Sequence, residues 1–436
     1  MHFWKIFFRP FLPCSIFTNN FSSKTHFIVN LHPVISPMLK SSPIVWILLI
    51  AAGLCHSSQA LEIKDNDKIA FLGNTFIERA QKYGYIETAI IAANPDKNLT
   101  FRNLGWSGDT VFGHSRSYFG PPREGFERLQ KLVEEEKPTL MLLNFGANAS
   151  YEGEAGVEKF VAGYERLIQM LLKASPGARI ALLTPLPQEQ LPPPLPSADK
   201  HNAELALYRD AIVKIGEKHG FVVVDLFEAF GEGKHSHLAN AMDPLTDNGL
   251  HLSETGYWYA IPTIQFALGQ ASKPWTFTHD FKSSSSKSDI SFTPQNLTPP
   301  PVPKHASCLL NLHHGQKHRP IVKITNLPIG KWKITDASGE TLASESAEKW
   351  ASGIRINITP DAQQAEKLRQ KINEKNRLFF HKHRPQNETY LFGFRKHEQG
   401  NNAAEIPKFQ PLIEAKEKEI AKLRVPQPFT LTLSKE

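Results

Sequence analysis

The sequence predicts an α/β fold, a three-layer flavodoxin-like domain in which helices cover both faces of a parallel β-sheet. From residue 68 to about residue 270, short apolar runs typical of strands alternate with longer segments whose apolar residues recur at helical spacing. The runs are apolar almost throughout, which is typical of parallel strands buried on both faces. Strands and helices that alternate in this way favour one sheet with helices on each side.

The strands and helices of this domain follow from the same pattern. Proline and glycine end the predicted helices, as in Lys137-Pro138 and Ser175-Pro176-Gly177. Residues 185–198 contain too many prolines for regular structure. Since they follow a strand, they form either a wall of a ligand pocket or a simple connector. The predicted strands are 69–72, 99–104, 139–145, 179–184 and 221–226, and the predicted helices are 77–94, 124–136, 157–174 and 203–219.

Beyond the α/β domain, which we assign to residues 61–271, the composition changes. Residues 272–304 contain four consecutive serines and three consecutive prolines, which predict a linker. Within residues 305–360, apolar and polar side chains alternate and predict a small antiparallel β unit. Residues 361–436 return to helical spacing and predict a helical C-terminal region.

The N-terminal residues predict export. Residues 38–60 combine a short basic start, an apolar run and small residues before a cleavage position, which is the pattern of a signal peptide. Residues 1–37 precede a second methionine, Met38, and are interpreted as an upstream extension. The apolar run is too short to span a bilayer comfortably. We therefore expect a secreted or periplasmic protein with no stable membrane span after the signal is removed.

The net charge and the cysteine content further restrict which partners and which disulfides we expect. Four of the 50 basic residues and none of the 43 acidic residues precede residue 61, so the formal charge falls from +7 to +3 over the rest of the chain. A surplus this small gives no reason to expect a nucleic-acid partner. Of the three cysteines only Cys308 follows the signal, so no internal disulfide is expected and the core must stabilise the exported protein.

Four polar turns are predicted at the carboxyl edge of the sheet, where open α/β sheets bind ligands. Taken alone, the first turn is also a good helix cap, because Asn and Thr are favoured there. Four turns that share this placement are more specific than any one of them. In order they are Gly73-Asn74-Thr75, Gly105-Trp106-Ser107-Gly108-Asp109, Asn144-Phe145-Gly146-Ala147-Asn148 and Thr246-Asp247-Asn248-Gly249-Leu250-His251.

In their order, these turns resemble the four sequence blocks of the SGNH hydrolases, also called the GDSL esterases and lipases, over roughly residues 66–265. The resemblance implies ester hydrolysis without a metal or an organic cofactor. It places Thr75 at the position of the nucleophile and His251 at that of the base. It also implies that the Gly108 N–H and the Asn148 side chain donate to the oxyanion. Two neighbouring residues are expected to contact the substrate, namely Asn74 and Trp106.

The catalytic triad departs from the family at two positions. Thr75 stands where a serine is expected, and Asn74 before it replaces an aspartate. Asn248 stands where an aspartate would orient His251, and Asp247 lies one place earlier. A threonine hydroxyl can attack when a base is adjacent, although its methyl group restricts χ1. In serine proteases, replacing the orienting aspartate by asparagine costs about 10⁴ in rate. Asp247 or a backbone carbonyl could orient the ring instead.

Each of these residues also has an ordinary structural explanation. Thr75 can be a helix cap, His251 a hydrogen-bonding loop residue, Asn148 a turn residue, and Gly108 a position of positive φ. Two functions are therefore open. The first is an exported ester hydrolase with a degraded triad that acts on a small acyl ester, such as an O-acetyl group on a carbohydrate. The second is an SGNH pseudoenzyme that binds esters or glycans. Both predict a small-molecule or glycan ester as the partner.

A basic and aromatic stretch near the C terminus, residues 377–397, is independent of these turns. Such a stretch fits an anionic or sugar ligand, or it packs a helix against the β unit. His381, His383 and His397 are candidate metal ligands, but nothing in the sequence completes a coordination shell. We therefore predict no metal site.

Overall fold

A parallel sheet of five strands lies at the centre of the α/β domain in this computed structural model. The strands pair in the order second, first, third, fourth, fifth, and every pair is parallel. Helices cover both faces, which confirms the predicted three-layer α/β fold. The strands are β1 (Lys68–Gly73), β2 (Thr100–Asn103), β3 (Leu140–Asn144), β4 (Arg179–Leu183) and β5 (Val222–Val224).

The structure describes residues 61–118, 120–231, 244–270, 274–282, 287–303, 319–356 and 359–436. The predicted upstream extension, the predicted signal peptide and Cys308 lie outside the described residues. In the part of the chain that is described, no helix is both long enough and apolar enough to cross a membrane.

Alternate residues of the strands point to two separate cores. Phe71 and Leu142 belong to a core with the helices of one face, and Leu72 and Met141 belong to a core with the helices of the other face. The first face carries α1 (Thr75–Tyr83), α2 (Tyr85–Ala92) and α7 (Glu254–Ala267), and the second carries α3 (Pro122–Glu136), α4 (Val157–Ala174) and α5 (Asp199–His219). A short helix, α6 (Leu226–Ala229), follows β5.

The prediction of one continuous helix over residues 77–94 is wrong. The chain turns at Gly84, which has a φ of +67° and donates its N–H to the Ala80 carbonyl, so that α1 ends there. A Cβ at this position would lie 2.2 Å from Oδ1 of Asn373, in a helix of the C-terminal region. Only glycine therefore fits, both because of its φ and because of this close approach.

The prediction of a linker over residues 272–304 is wrong at two places, where strands form. These are β6 (Thr276–Asp280) and β7 (Lys287–Phe292). Together with β8 (Ile321–Thr325), β9 (Lys331–Thr335), β10 (Thr341–Ser346), α8 (Ala347–Ser352) and β11 (Ile354–Arg355), they build the β unit. The unit is antiparallel as predicted except for β6 and β8, which pair in parallel. Its core contains Trp332 and Trp350.

The prediction that residues 361–436 are helical is wrong at their end. The last strand, β12 (Phe429–Lys435), pairs with β7 and β9 and completes a four-stranded sheet. Its Phe-Thr-Leu-Thr-Leu sequence alternates apolar and polar residues, as strands with one buried face do. The rest is helical, with α9 (Pro360–His383), α10 (Glu388–Leu391) and α11 (Phe409–Leu423).

The C-terminal helices pack directly on the α/β domain. Leu368 and Ile372 of α9 belong to the same core as α1 and α2. Nζ of Lys375 lies 2.6 Å from Oε1 of Glu87 on α2, and both side chains are buried. Truncating one partner of a buried pair leaves an unpaired charge, which costs about 3–5 kcal/mol. The end of α9 is thereby held over the carboxyl edge of the sheet.

Candidate active site

The turn between β1 and α1 presents Thr75 at the carboxyl edge of the sheet. Gly73 has a φ of +155°, and a Cβ there would lie 2.2 Å from the Asn144 carbonyl oxygen at the end of β3. Only glycine therefore allows the two strands to end so close together. Oδ1 of Asn74 accepts a hydrogen bond of 3.2 Å from the Phe76 N–H and caps α1. Thr75 is the first residue of α1, so its hydroxyl lies at the positive end of the helix.

The Gly108 N–H donates to Oγ of Thr75 over 3.1 Å. Gly108 has a φ of +74°, which turns this N–H back toward β1 at a backbone conformation suited to glycine. Asn148 lines the same cavity as Thr75, and its exposed side chain has no hydrogen bond to another described residue. The Asn148 amide is thus free to bind a ligand in the cavity, whereas the Gly108 N–H is already bonded to Oγ of Thr75.

A buried ion pair fixes the loop that carries Gly108. Nε of Arg116 lies 2.5 Å from Oδ2 of Asp109, and neither side chain is exposed. The same guanidinium donates to the Leu104 carbonyl over 2.7 Å. Among the described residues, the buried Nη1 of Arg116 has no hydrogen-bond partner. The backbone contact ties the pair to the end of β2.

The end of α9 supports this loop from outside. Oε2 of Glu78 accepts the Ser107 N–H at 2.5 Å and lies 3.1 Å from Nη1 of Arg384. Burial alone would raise the pKa of Glu78, but the Ser107 hydrogen bond and the charge of Arg384 outweigh it and lower the pKa. The Arg384 guanidinium also lies 4.0 Å from the centre of the Trp106 ring. Trp106 is 5% exposed and does not line the cavity. It therefore supports the loop, whereas the sequence predicted that it contacts the substrate.

The turn that carries His251 places an amide donor against its ring. Oδ1 of Asn248 accepts the Leu250 N–H at 3.2 Å and the His251 N–H at 3.0 Å. Nδ2 of Asn248 lies 3.2 Å from Nδ1 of His251. Reversing the amide would set its NH₂ group against two N–H donors, so the hydrogen bonds determine its orientation. Nδ2 therefore donates to Nδ1, and the neutral ring carries its proton on Nε2.

The His251 ring is neutral near pH 7, and Asp247 does not orient it. Burial, and then the positive charge of Arg79, lower the pKa of His251, and Asp247 offsets only part of this effect. The Asp247 carboxylate forms an ion pair with Nη2 of Arg79. Among the described residues, the one group that bonds to Nδ1 of the ring is Asn248. The proposed substitutes for an orienting aspartate, Asp247 and a backbone carbonyl, therefore do not contact the ring.

A cavity of about 150 Å³ brings some of the predicted site residues together, whereas Trp106, Gly108, Asp247 and Asn248 do not line it. Thr75, Asn148 and His251 line it, as does Asn74, whose Nδ2 is buried and has no hydrogen-bond partner. Leu186 and Pro187 form an apolar wall, so the proline-rich loop is part of the pocket. Thr75 and His251 share the cavity without a direct hydrogen bond between their side chains.

Arg79, Tyr151 and His201 also line the cavity and were not predicted from the sequence. Arg79 is four residues after Thr75 on α1, so helical spacing places both on one face and could have identified it. The Tyr151 ring stacks on the His201 ring with centres 4.3 Å apart. Gln188 and Ser150 hold the two ring nitrogens of His201 at 2.9 Å and 3.0 Å. These contacts lie between a loop and a helix far apart in sequence, so no local pattern predicts them.

The basic and aromatic C-terminal stretch lies outside the cavity. Its residue His383 is partly buried, and Nδ1 donates to the Phe379 carbonyl within α9 over 3.0 Å. Burial lowers the pKa of His383 to about 4. Over the described ranges, no group of three His, Cys, Asp or Glu side chains could hold a metal ion.

Known proteins share both the sequence pattern and the fold. The model of the GDSL-like lipase/acylhydrolase family matches residues 77–259, which is most of the α/β domain. No curated protein matches the sequence. Among solved structures, a gut microbial diltiazem-metabolizing enzyme is similar with a TM-score of 0.68 at 16% identity, over 87% of this chain and 100% of that one. This coverage extends beyond the α/β domain, and at such an identity it shows a shared fold.

Two further solved structures are similar over about half of this chain. An acetylxylan esterase from Geobacillus stearothermophilus has a TM-score of 0.35 at 19% identity, over 48% of this chain and 97% of that one. A lipase/acylhydrolase from Enterococcus faecalis has a TM-score of 0.31 at 22% identity, over 46% of this chain and 95% of that one. Scores this low add nothing to the assignment of the fold.

Proposed function

Because the α/β domain belongs to the SGNH hydrolases, the family of GDSL-like lipases and acylhydrolases that cleave ester bonds, we propose that this protein hydrolyses small acyl esters after export. The proposed substrates are O-acetyl groups on carbohydrates. One observation carries the proposal, namely the 3.1 Å hydrogen bond from the Gly108 N–H to Oγ of Thr75 beside the cavity. This contact supports the proposal because it joins the candidate nucleophile to a candidate donor of the oxyanion hole.

The size and the wall of the cavity suit a small acyl group. Its volume is about 150 Å³, and part of its wall is apolar. In the proposed first step, Oγ of Thr75 attacks the acyl carbonyl and passes its proton to Nε2 of His251. The carbonyl oxygen becomes an oxyanion held by the Gly108 N–H and the Asn148 amide. Collapse of this intermediate releases the alcohol, which takes the proton back, and water then cleaves the acyl-threonine by the same route.

Asn248 limits the rate of this reaction. Nε2 can accept a proton only when the ring proton is on Nδ1, whereas the Asn248 amide donates to Nδ1 and favours the other tautomer. In the reactive tautomer, Nδ1–H faces the amide NH₂, so two donors oppose each other. We therefore expect a turnover number well below the usual range of about 1–10³ s⁻¹.

Hydrolysis of 4-nitrophenyl acetate by the purified protein tests this proposal. Wild type is expected to release nitrophenol slowly, and Thr75→Ala and His251→Ala are expected to reduce the rate to that of buffer. Arg123→Gln is a matched control, because Arg123 is an exposed residue on α3 that pairs with Glu127 and does not line the cavity. Absence of hydrolysis in wild type, with no change in His251→Ala, would contradict the proposal.

A second function, ester or glycan binding without turnover, is favoured by the same Asn248 contact. A base held in the unreactive tautomer leaves the pocket and its donors intact while it removes proton transfer. The double variant Thr75→Ser, Asn248→Asp separates the two functions. A silent wild type with a strongly active double variant supports binding alone, and a wild type of comparable activity excludes it.

A further inference from the structure

The position of the Asn148 amide depends on the backbone that carries it. The side chain lines the cavity, is exposed, and has no hydrogen bond to another described residue. A donor stabilises an oxyanion only when it is held at the right distance before the charge develops. Whatever fixes the backbone of residues 146–150 therefore fixes this donor.

Ser150 closes the turn around Asn148. Its N–H donates to the Gly146 carbonyl over 2.9 Å, and its Oγ donates to the Ala147 carbonyl over 2.7 Å. These carbonyls belong to the two residues directly before Asn148, and Ser150 follows it by two positions. Ser150 is buried. Its two bonds therefore hold the backbone on both sides of Asn148.

The His201 ring fixes the Ser150 hydroxyl from α5. Nε2 lies 3.0 Å from Oγ of Ser150. A carbonyl oxygen only accepts, so the single hydroxyl proton goes to Ala147, and Oγ must accept from Nε2. On the other side, Nδ1 lies 2.9 Å from the Gln188 amide. That amide accepts from a protonated ring, or rotates and donates to a neutral one. In both states Nε2 carries a proton, so the bond to Ser150 does not depend on the charge of the ring.

The ring is itself held in place. His201 is 9% exposed and stacks on Tyr151. The next residue, Asn202, accepts the Gln188 N–H at 2.7 Å and donates to the Gln188 carbonyl at 2.9 Å. His201 and Asn202 lie in the first turn of α5. This turn thus joins the backbone around Asn148 to the proline-rich loop.

We propose that His201 is a positioning residue for the oxyanion hole. Through Ser150 it holds the backbone that carries Asn148, so that the free amide points at the oxygen of the ester. It acts through this hydrogen bond and not by contact with the reacting atoms. The inference rests on the proposed function, because that function assigns the Asn148 amide to the oxyanion.

Three variants of α5 test this role. His201→Phe keeps a ring against Tyr151 but removes the donor, whereas His201→Gln restores an N–H near the place of Nε2. Tyr208→Phe is the matched control, because Oη of Tyr208 bonds to the Gly153 carbonyl in the same loop, beyond Ser150. We expect kcat for 4-nitrophenyl acetate to fall roughly tenfold in His201→Phe, a part of the loss caused by deleting a donor. KM should change little, since the donor acts in the transition state. His201→Gln and Tyr208→Phe should stay within about threefold of wild type.

A double variant shows whether His201 acts through Asn148. Adding His201→Phe to Asn148→Ala should cause no further decrease in kcat, because the donor is already absent. A decrease as large as in the single variant would overturn the proposal. Ser150→Ala breaks the same link from the other side, and it takes the place of His201→Phe if that variant does not fold.

Hydrogen exchange of the backbone over residues 146–152, followed by mass spectrometry, tests the link without any activity. Exchange should be roughly fivefold faster in His201→Phe, as expected for the loss of one hydrogen bond, and unchanged in His201→Gln. Unchanged exchange in His201→Phe overturns the proposal. Faster exchange with an unchanged kcat also overturns it and leaves the esterase proposal standing. Faster exchange in a protein whose wild type hydrolyses no ester supports the link and contradicts the esterase proposal alone.

Discussion

The two sides of the active site differ in how the rest of the fold holds them. On the oxyanion side, the loop of Gly108 is fixed by the buried pair of Asp109 and Arg116 and by Arg384 from the C-terminal region. On the side of the base, the side chain of Asn248 bonds within its own turn, to Leu250 and His251, and to no other residue that the structure describes.

In the proposed mechanism, stabilisation of charge and transfer of the proton are therefore separate properties of this site. The proposed oxyanion side has the Gly108 and Asn148 donors, and distant parts of the chain stabilise it. The base side keeps the histidine but changes the residue that sets its tautomer. A site of this kind can bind and polarise an ester well while it deprotonates the hydroxyl poorly. The predictions that follow act on one side at a time.

Replacing Asn248 by aspartate is expected to have the largest effect. One carboxylate oxygen keeps the bonds to the Leu250 and His251 N–H groups, and the other accepts from Nδ1, which moves the ring proton to Nδ1. We expect kcat for 4-nitrophenyl acetate to rise by up to about 10⁴. The gain must vanish when His251→Ala is added to Asn248→Asp. A change below threefold would contradict the assigned tautomer.

Removing the free amide of the oxyanion side is expected to have the next largest effect. Asn148→Ala deletes a donor without an effect on the turn of His251. Loss of one oxyanion donor costs about 10²–10³ in kcat. Because Asn248→Asp is expected to raise the rate of hydrolysis, the decrease in kcat is best measured in a protein that also carries Asn248→Asp. Equal kcat with and without the Asn148 side chain would show that the amide does not contact the oxyanion.

Arg384→Met tests whether the C-terminal region supports the oxyanion side. It removes an ion pair with Glu78 and a cation–π contact with Trp106. Contacts of these kinds are together worth about 1–2 kcal/mol, and we expect kcat to fall roughly tenfold with little change in KM. Arg395→Met is the matched control, since Arg395 makes the same two kinds of contact away from the site. Equal decreases in kcat in both variants would show that Arg384 does not specifically support the oxyanion side.

Thr75→Ser is expected to raise kcat modestly. The serine lacks the methyl group that restricts χ1, so its hydroxyl reaches the attacking geometry with less strain. Strain of this size is about 1 kcal/mol, or roughly fivefold in rate. Single-turnover measurements with 4-nitrophenyl acetate separate attack from hydrolysis of the acyl intermediate. A serine variant slower than wild type would show that the methyl group positions the hydroxyl.

The pH profile is expected to show the smallest effect. Burial and the charge of Arg79 lower the pKa of His251, and the reaction needs the neutral ring. Since the ordinary value is about 6.5, kcat/KM should stay constant on the acid side until the pH falls below that value. Replacing Arg79 by the neutral glutamine should move the decrease in kcat/KM on the acid side toward higher pH. A decrease in kcat/KM that begins above pH 6.5 in wild type would contradict the assigned surroundings of the ring.

Local patterns were sufficient to predict the α/β fold and to identify the four turns. Most of the strands are nearly continuous apolar runs, and the first three turns each follow a strand directly. Local patterns failed where a distant segment decides the structure. Residues 287–292 become a strand because β12 pairs with them.

The candidate site was predictable in residue type but not in geometry. The substitutions at Thr75 and Asn248 are visible in the sequence and indicate a weakened triad. The orientation of the Asn248 amide cannot be read from the sequence, because it depends on two backbone N–H groups of a folded turn. Nor does the sequence show that Asp247 pairs with Arg79, or that Arg384 lies over Trp106.

The tautomer of His251 is the most direct test of this account. Selective ¹⁵N labelling of histidine and a long-range ¹H–¹⁵N spectrum near pH 7.5, with His251→Ala to assign the signals, report which ring nitrogen carries the proton. We predict a protonated Nε2 and an unprotonated Nδ1 in wild type, and the reverse in Asn248→Asp. A wild-type ring protonated at Nδ1 would show that Asn248 accepts from the ring, and it would contradict the claim that this residue limits the enzyme.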